Sequence, residues 1–166
     1  MEGKKLEIGS ELRPTEGYEH LDIIAYPHVE IVADARDIPV ADETYIEVYS
    51  HWVLEHFAKN DIIPLLKEWR RILVKGGKIR AVTNNQESIN QSVASGEITW
   101  MEWSYLTFGN DTKTLEGSHK VGFSQKSIKE YFLDAGLTDI VVEATWGCRG
   151  KEGELGCPAL IVEAIR

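Results

Sequence analysis

The sequence predicts an α/β fold whose mostly parallel sheet ends in an antiparallel hairpin. Three observations carry this: short strand-like runs open the chain, strand-like and helix-like segments alternate through its middle, and the last two strand-like runs follow each other without a helix. Parallel neighbours need crossovers that place helices on the sheet faces, whereas a direct connection makes an antiparallel pair.

KKLEI alternates Lys5, Leu6, Glu7 and Ile8 and stops at Gly9, as a short strand running into a turn does. HLDIIA (20–25) and EIVAD (30–34) are two further short strands. YIEVY (45–49) alternates as a fourth and leads into SHWVLEHF, where Val53, Leu54 and Phe57 fall at helical spacing. A helix over 61–74 follows, because Ile62, Leu65, Leu66, Trp69, Ile72 and Leu73 form one apolar face. Asn60 or Asp61 can cap its start, Pro64 is tolerated in the first turn, and Gly76-Gly77 ends it. KIRAVT (78–83) is the fifth strand. Ser124 caps a second helix with Ile128, Tyr131, Phe132 and Ala135 on one face and Gly136 as its stop. TDIVVEAT (138–145) and PALIVEAI (158–165) complete seven strands.

At 166 residues with 43% hydrophobic content, the chain suits one domain, residues 1–166, with one core. A net charge of −9 repels phosphate backbones and argues against general nucleic-acid binding. With no apolar run near the roughly 20 residues of a membrane helix and no signal-peptide pattern, a cytoplasmic location is expected. Cys148 and Cys157 make no zinc motif, and no metal is expected; they flank the turn between the last two strands, where a disulfide is conceivable but two free, packed thiols are the expectation.

Open α/β sheets bind ligands beyond the carboxyl ends of their strands. Those ends carry Glu7-Ile8-Gly9, Asp22, Asp34-Ala35, Ser50-His51 and Asn84-Asn85. Three carboxylates at successive strand ends can accept hydrogen bonds from a ribose diol, an adenine amino group or a cationic amine. An adenosine-bearing, positively charged ligand fits that set better than a polyphosphate does.

Four stretches resemble the class I S-adenosylmethionine-dependent methyltransferases, in particular the small predicted members whose first motif runs LNLGxGxxPxxGWxNxD. They are LEIGSELRPTEGYEHLDI, VADARDIPVADETYIEVYSHWVLEHF, EWRRILVKGGKIRAV and HKVGFSQKSIKEYFLDAGL, in the family's order over nearly the whole chain. The resemblance implies a Rossmann-like, mostly parallel seven-stranded sheet with an antiparallel edge hairpin, S-adenosylmethionine as cofactor, and methyl transfer to an acceptor the sequence does not identify. Carried over residue by residue, it implies that Glu7 meets the methionine amino group, Gly9 allows close backbone approach, Asp22 holds the ribose hydroxyls, Asp34 and Ala35 contact adenine, and His51 lines the methionine end. His51 and His119 are the first candidates for a catalytic base, since imidazole titrates near neutrality. The sequence departs from the pattern at Glu11, where the family has a second glycine. That departure keeps open a non-catalytic binding or assembly module on the same fold.

Three residue groups have competing readings. The cations Lys67, Arg70, Arg71, Lys75, Lys78 and Arg80 read best as a solvated face. Glu55 and His56 lie in the segment the resemblance places beside the cofactor, where capping or packing is as good an account. The insertion ITWMEWSYLTFGNDTKTLEGS has a claim on substrate through Trp100, Trp103, Tyr105 and Phe108, against a role as a packed lid. Finally, the links between the first three strands are too short for crossover helices, so the sheet is shortened in its N-terminal half and one face is left uncovered. A homodimer is the expected cover.

Overall fold

The computed structural model describes residues 3–109, 117–146 and 157–166. Strands β1 (Lys5–Ile8), β2 (Glu19–Asp22), β3 (Ile31–Val32) and β4 (Tyr45–His51) come first, followed by two 3-10 turns, Leu54–His56 and Lys59–Asp61. Then come α1 (Ile62–Ile72), β5 (Leu73–Asn84), α2 (Gln86–Ser95), α3 (Trp100–Phe108), α4 (Gln125–Asp134), β6 (Thr138–Trp146) and β7 (Pro158–Ile165).

The seven strands form one sheet in the order β3-β2-β1-β4-β5-β7-β6. β3 to β5 run parallel, and β7 pairs antiparallel with both β5 and β6. This is the Rossmann-like arrangement, with strand order reversing between β1 and β4. The strand-period pattern places Leu6, Ile8, Val48, Ile79, Ala81 and Val162 in the core under α1 and α4, all at most 1% exposed. α1 contributes Ile62, Leu65, Leu66, Trp69 and Ile72 to that core, and α4 contributes Ile128 and Phe132.

The opposite face is polar. Lys5 and Lys78 both approach Glu47, at 3.3 and 3.7 Å, and Arg80 lies 3.7 Å from Glu163. Tyr18 donates to Glu47 across 2.7 Å. No helix is described between β1 and β4, in line with the short connections.

Four expectations need correction. Gly76-Gly77 does not end α1: the chain enters β5 at Leu73 with no loop, and Gly76 takes φ +75° inside the strand. The register shift opposite Tyr45 and Glu47 absorbs this, and a Cβ on Gly77 would fall 2.9 Å from the Val74 carbonyl. The described residues of the insertion form one helix, α3, rather than a packed lid, and its Trp100, Met101, Tyr105 and Phe108 are exposed. Cys157 is disulfide-bonded rather than a free thiol, while Cys148 lies outside the described residues. Asp61 occupies the N-cap of α1 without a side-chain capping bond.

Among the described residues no helix is long and apolar enough to cross a membrane.

Candidate cofactor site

A cavity of about 560 Å³ opens beyond the carboxyl ends of β1, β2 and β4, within the roughly 300–1,000 Å³ usual for small-ligand pockets. Its wall brings together Gly9, Asp22, Asp34 and Ala35 of the residues named from sequence. Ile23, Ile24, Tyr26, Trp52, Val53 and Phe57 supply apolar and aromatic surface. Glu11, Arg36, His56 and Lys120 add charge or a titratable ring.

Asp22 ends β2 and is 6% exposed. Its two oxygens accept the backbone N–H of Glu11 (3.0 Å) and of Ile24 (2.9 Å), which ties the loop after β1 to the end of β2. Each carboxylate oxygen has two acceptor sites, so one on each remains for a further donor. A vicinal diol is such a donor pair.

Gly9 follows β1 at φ +74°, and a Cβ there would lie 2.5 Å from Val53 Cγ2. Both the backbone conformation and the contact demand glycine. Glu11 stands at φ +44°, so the backbone takes the left-handed conformation that glycine would favour although the residue is an acid. This costs roughly 1–2 kcal/mol of backbone strain. Trp52, just past β4, is held at φ +56°, an outlier for a bulky side chain. Glu11→Gly is expected to raise stability by up to about 1 kcal/mol, or about 2–4 °C in melting temperature, read by calorimetry. An unchanged or lower melting temperature would remove the strain argument.

Helix α1 positions the Asp34–Val40 segment. The Trp69 indole N–H donates to the Ala35 carbonyl at 3.1 Å, Glu68 accepts the Ile38 N–H at 2.9 Å, and Arg71 donates to the Ile38 and Val40 carbonyls. Asp34 is bridged by Arg36 at 2.7 Å, and that guanidinium holds its carboxyl below the ordinary carboxylate range. Most of the basic cluster is likewise engaged within the chain, with Arg70 on the Gly136 carbonyl and Arg71 on Glu68 and Asp42.

The remaining residues named from sequence lie elsewhere. Glu7 is 1% exposed and accepts two 2.6 Å bonds from Thr15, one from its N–H and one from its hydroxyl, with His20 3.6 Å away; it is not in the cavity wall. His51 sits on the face of β4 shared with Tyr49, its ring 5.6 Å from that of Trp52. His119 packs edge-on against His56 with ring centroids 5.1 Å apart. Burial pushes the pKa of both these rings down, and it pushes fully buried Glu55 up to about 7. Sequence reasoning placed Glu11 at the motif glycine but did not assign Trp52, Arg36 or Lys120 to the cavity wall.

The sheet order, the edge hairpin and a cavity at the strand reversal define the class: this chain has the fold of the class I S-adenosylmethionine-dependent methyltransferases. Residues 13–81 match the family described as Methyltransferase domain. The chain is 25% identical over 118 residues to a demethylmenaquinone methyltransferase of Alkalihalophilus pseudofirmus, which covers 59% of this chain and 49% of that protein. It thus spans about half the length of that curated relative. A methyltransferase from Thermotoga maritima superimposes with a TM-score of 0.64 at 18% identity, over 99% of this chain and 82% of that one. The Haemonchus contortus phosphoethanolamine N-methyltransferase 2, solved with phosphomonomethylethanolamine and S-adenosylhomocysteine, gives 0.60 at 12% identity, over 99% and 49%.

Proposed function

We propose that the chain is a methyltransferase that binds S-adenosylmethionine in the strand-end cavity. The observation that carries this reading is Asp22, a buried carboxylate with spare acceptor sites in a cavity walled by apolar and aromatic side chains. Those groups fit the cofactor: Asp22 would accept from the ribose diol, Ala35 and the apolar wall would hold the adenine, and Gly9 would allow the backbone approach. Lys120 would meet the carboxylate of the methionine part. When bound, the cofactor supplies a methyl group on a cationic sulfur. The chain's task is then to hold the acceptor in line and exclude water, worth roughly 7–11 kcal/mol at best. Trp52 and Phe57 would shield the reacting atoms, and His56 in the cavity wall, backed by His119, is nearer to that task than His51. Glu7 would act by holding the Thr15 loop rather than by touching ligand.

A cytoplasmic homodimer is part of the proposal. Support for the dimer comes from the helix-free first half of the sheet, and the ion pairs on that face would make the interface polar and wet. A monomeric mass by light scattering at micromolar concentration would refute it.

The test of function is thermal melting with S-adenosylhomocysteine. At about 100 times its Kd, ligand adds about 2.7 kcal/mol, or about 5–11 °C for a chain of this size. Absence of any shift in folded protein would overturn the reading. A shift without methyl transfer to any acceptor class would favour the non-catalytic module, for which Glu11 at the motif glycine speaks.

A further inference from the structure

The 3-10 turn after β4 and the segment after α3 bring Glu55, His56 and His119 together, although 63 positions separate the two histidines. One ligand atom from each lies within 4.8 Å of the others. We propose that these three residues bind a first-row divalent cation of the zinc type.

The tautomers support this. His56 Nδ1 lies 3.2 Å from the Ser118 carbonyl and His119 Nδ1 lies 3.1 Å from the Leu106 carbonyl. A carbonyl only accepts, so each Nδ1 carries the proton and each Nε2 presents a lone pair. Metal-binding histidines are commonly oriented in this way, with the second ring nitrogen donating to a carbonyl.

Glu55 supplies the anionic ligand. One oxygen accepts the Thr83 hydroxyl at 2.8 Å, and the other, Oε1, is buried with no hydrogen-bond partner among the described residues. Leaving such an oxygen unsatisfied is costly, and a cation satisfies it. The Glu55 carbonyl also accepts the Lys120 N–H at 2.7 Å, which fixes the two segments relative to each other.

Ligand atoms on one zinc ion stand about 3.4 Å apart, given bonds near 2.1 Å, so closure from 4.8 Å needs up to about 1.4 Å of approach between side chains. Two imidazoles and a carboxylate are the ligand set of open zinc sites, in which a fourth position stays free. The site shares His56 with the cavity wall, and titration with metal alone tests it separately from cofactor binding.

The test uses chelator-treated full-length protein titrated with Zn²⁺ by calorimetry, and with Co²⁺ by visible absorbance. One cation per chain should bind, with a cobalt spectrum of low coordination number. His119→Ala should weaken binding at least about 30-fold, Glu55→Gln should weaken it measurably, and His28→Ala should leave it unchanged. Circular dichroism checks that each variant folds. If His119→Ala does not, Glu55→Gln decides, since it keeps shape and removes only charge. No binding at millimolar metal, or wild-type affinity in both His119→Ala and Glu55→Gln, would overturn the proposal.

Discussion

Asp22→Ala is expected to weaken S-adenosylhomocysteine binding by about 2–4 kcal/mol, or about 30- to 700-fold, because hydrogen bonds to a buried charge are worth about 1.5–3 kcal/mol each. The side chain has two tasks. It presents acceptor sites to the cavity, and it holds the Glu11 and Ile24 amides at 3.0 and 2.9 Å. Alanine removes both. Asp22→Asn keeps the shape and one carbonyl acceptor while removing the charge, so its loss should be smaller, about tenfold. Titration calorimetry separates them: equal, wild-type affinity in both variants would place the ligand away from the end of β2.

The second large effect concerns Trp69, which is fully buried. Trp69→Ala should cost about 3–5 kcal/mol, a large part of the roughly 5–15 kcal/mol by which domains are stable, and lower the melting temperature by about 6–20 °C. Trp69→Phe isolates the polar part of that role. It retains most of the volume but leaves the Ala35 carbonyl without its 3.1 Å partner, at a cost of about 1–2 kcal/mol. Since that bond anchors one wall of the cavity, Trp69→Phe should also weaken ligand binding, while a purely packing role for Trp69 would leave affinity unchanged.

The sheet was legible where burial is one-sided. β4 and β7 alternate because one face meets α1 and α4 while the other meets solvent, and the edge hairpin followed from the missing helix. The start of β5 was not legible, because Leu73 completes the apolar face of α1 as naturally as it begins a strand. α2 is largely polar and α3 buries none of its residues, so neither has the amphipathic stripe that periodicity detects. A signal for α3 was present all the same, in Thr99 and Glu102, which form a capping box.

The candidate site divides in the same way. The strand-end rule leads to Gly9, Asp22, Asp34 and Ala35 because it depends only on where strands stop. It cannot tell that Glu7 turns toward Thr15, or that His56 meets His119. Those are contacts between side chains on separate elements. Glu11 shows a further limit: the residue differs from the motif glycine, yet its φ of +44° stays in the region glycine favours.

A crystal structure grown with S-adenosylhomocysteine tests the cofactor site most simply. The ribose hydroxyls should lie on the Asp22 carboxylate, the purine between Ala35 and the apolar wall of the cavity, and the amino-acid end toward Gly9 and Lys120. Ligand bound outside this cavity, or clear density for an empty cavity at saturating ligand, would refute cofactor binding at the strand ends.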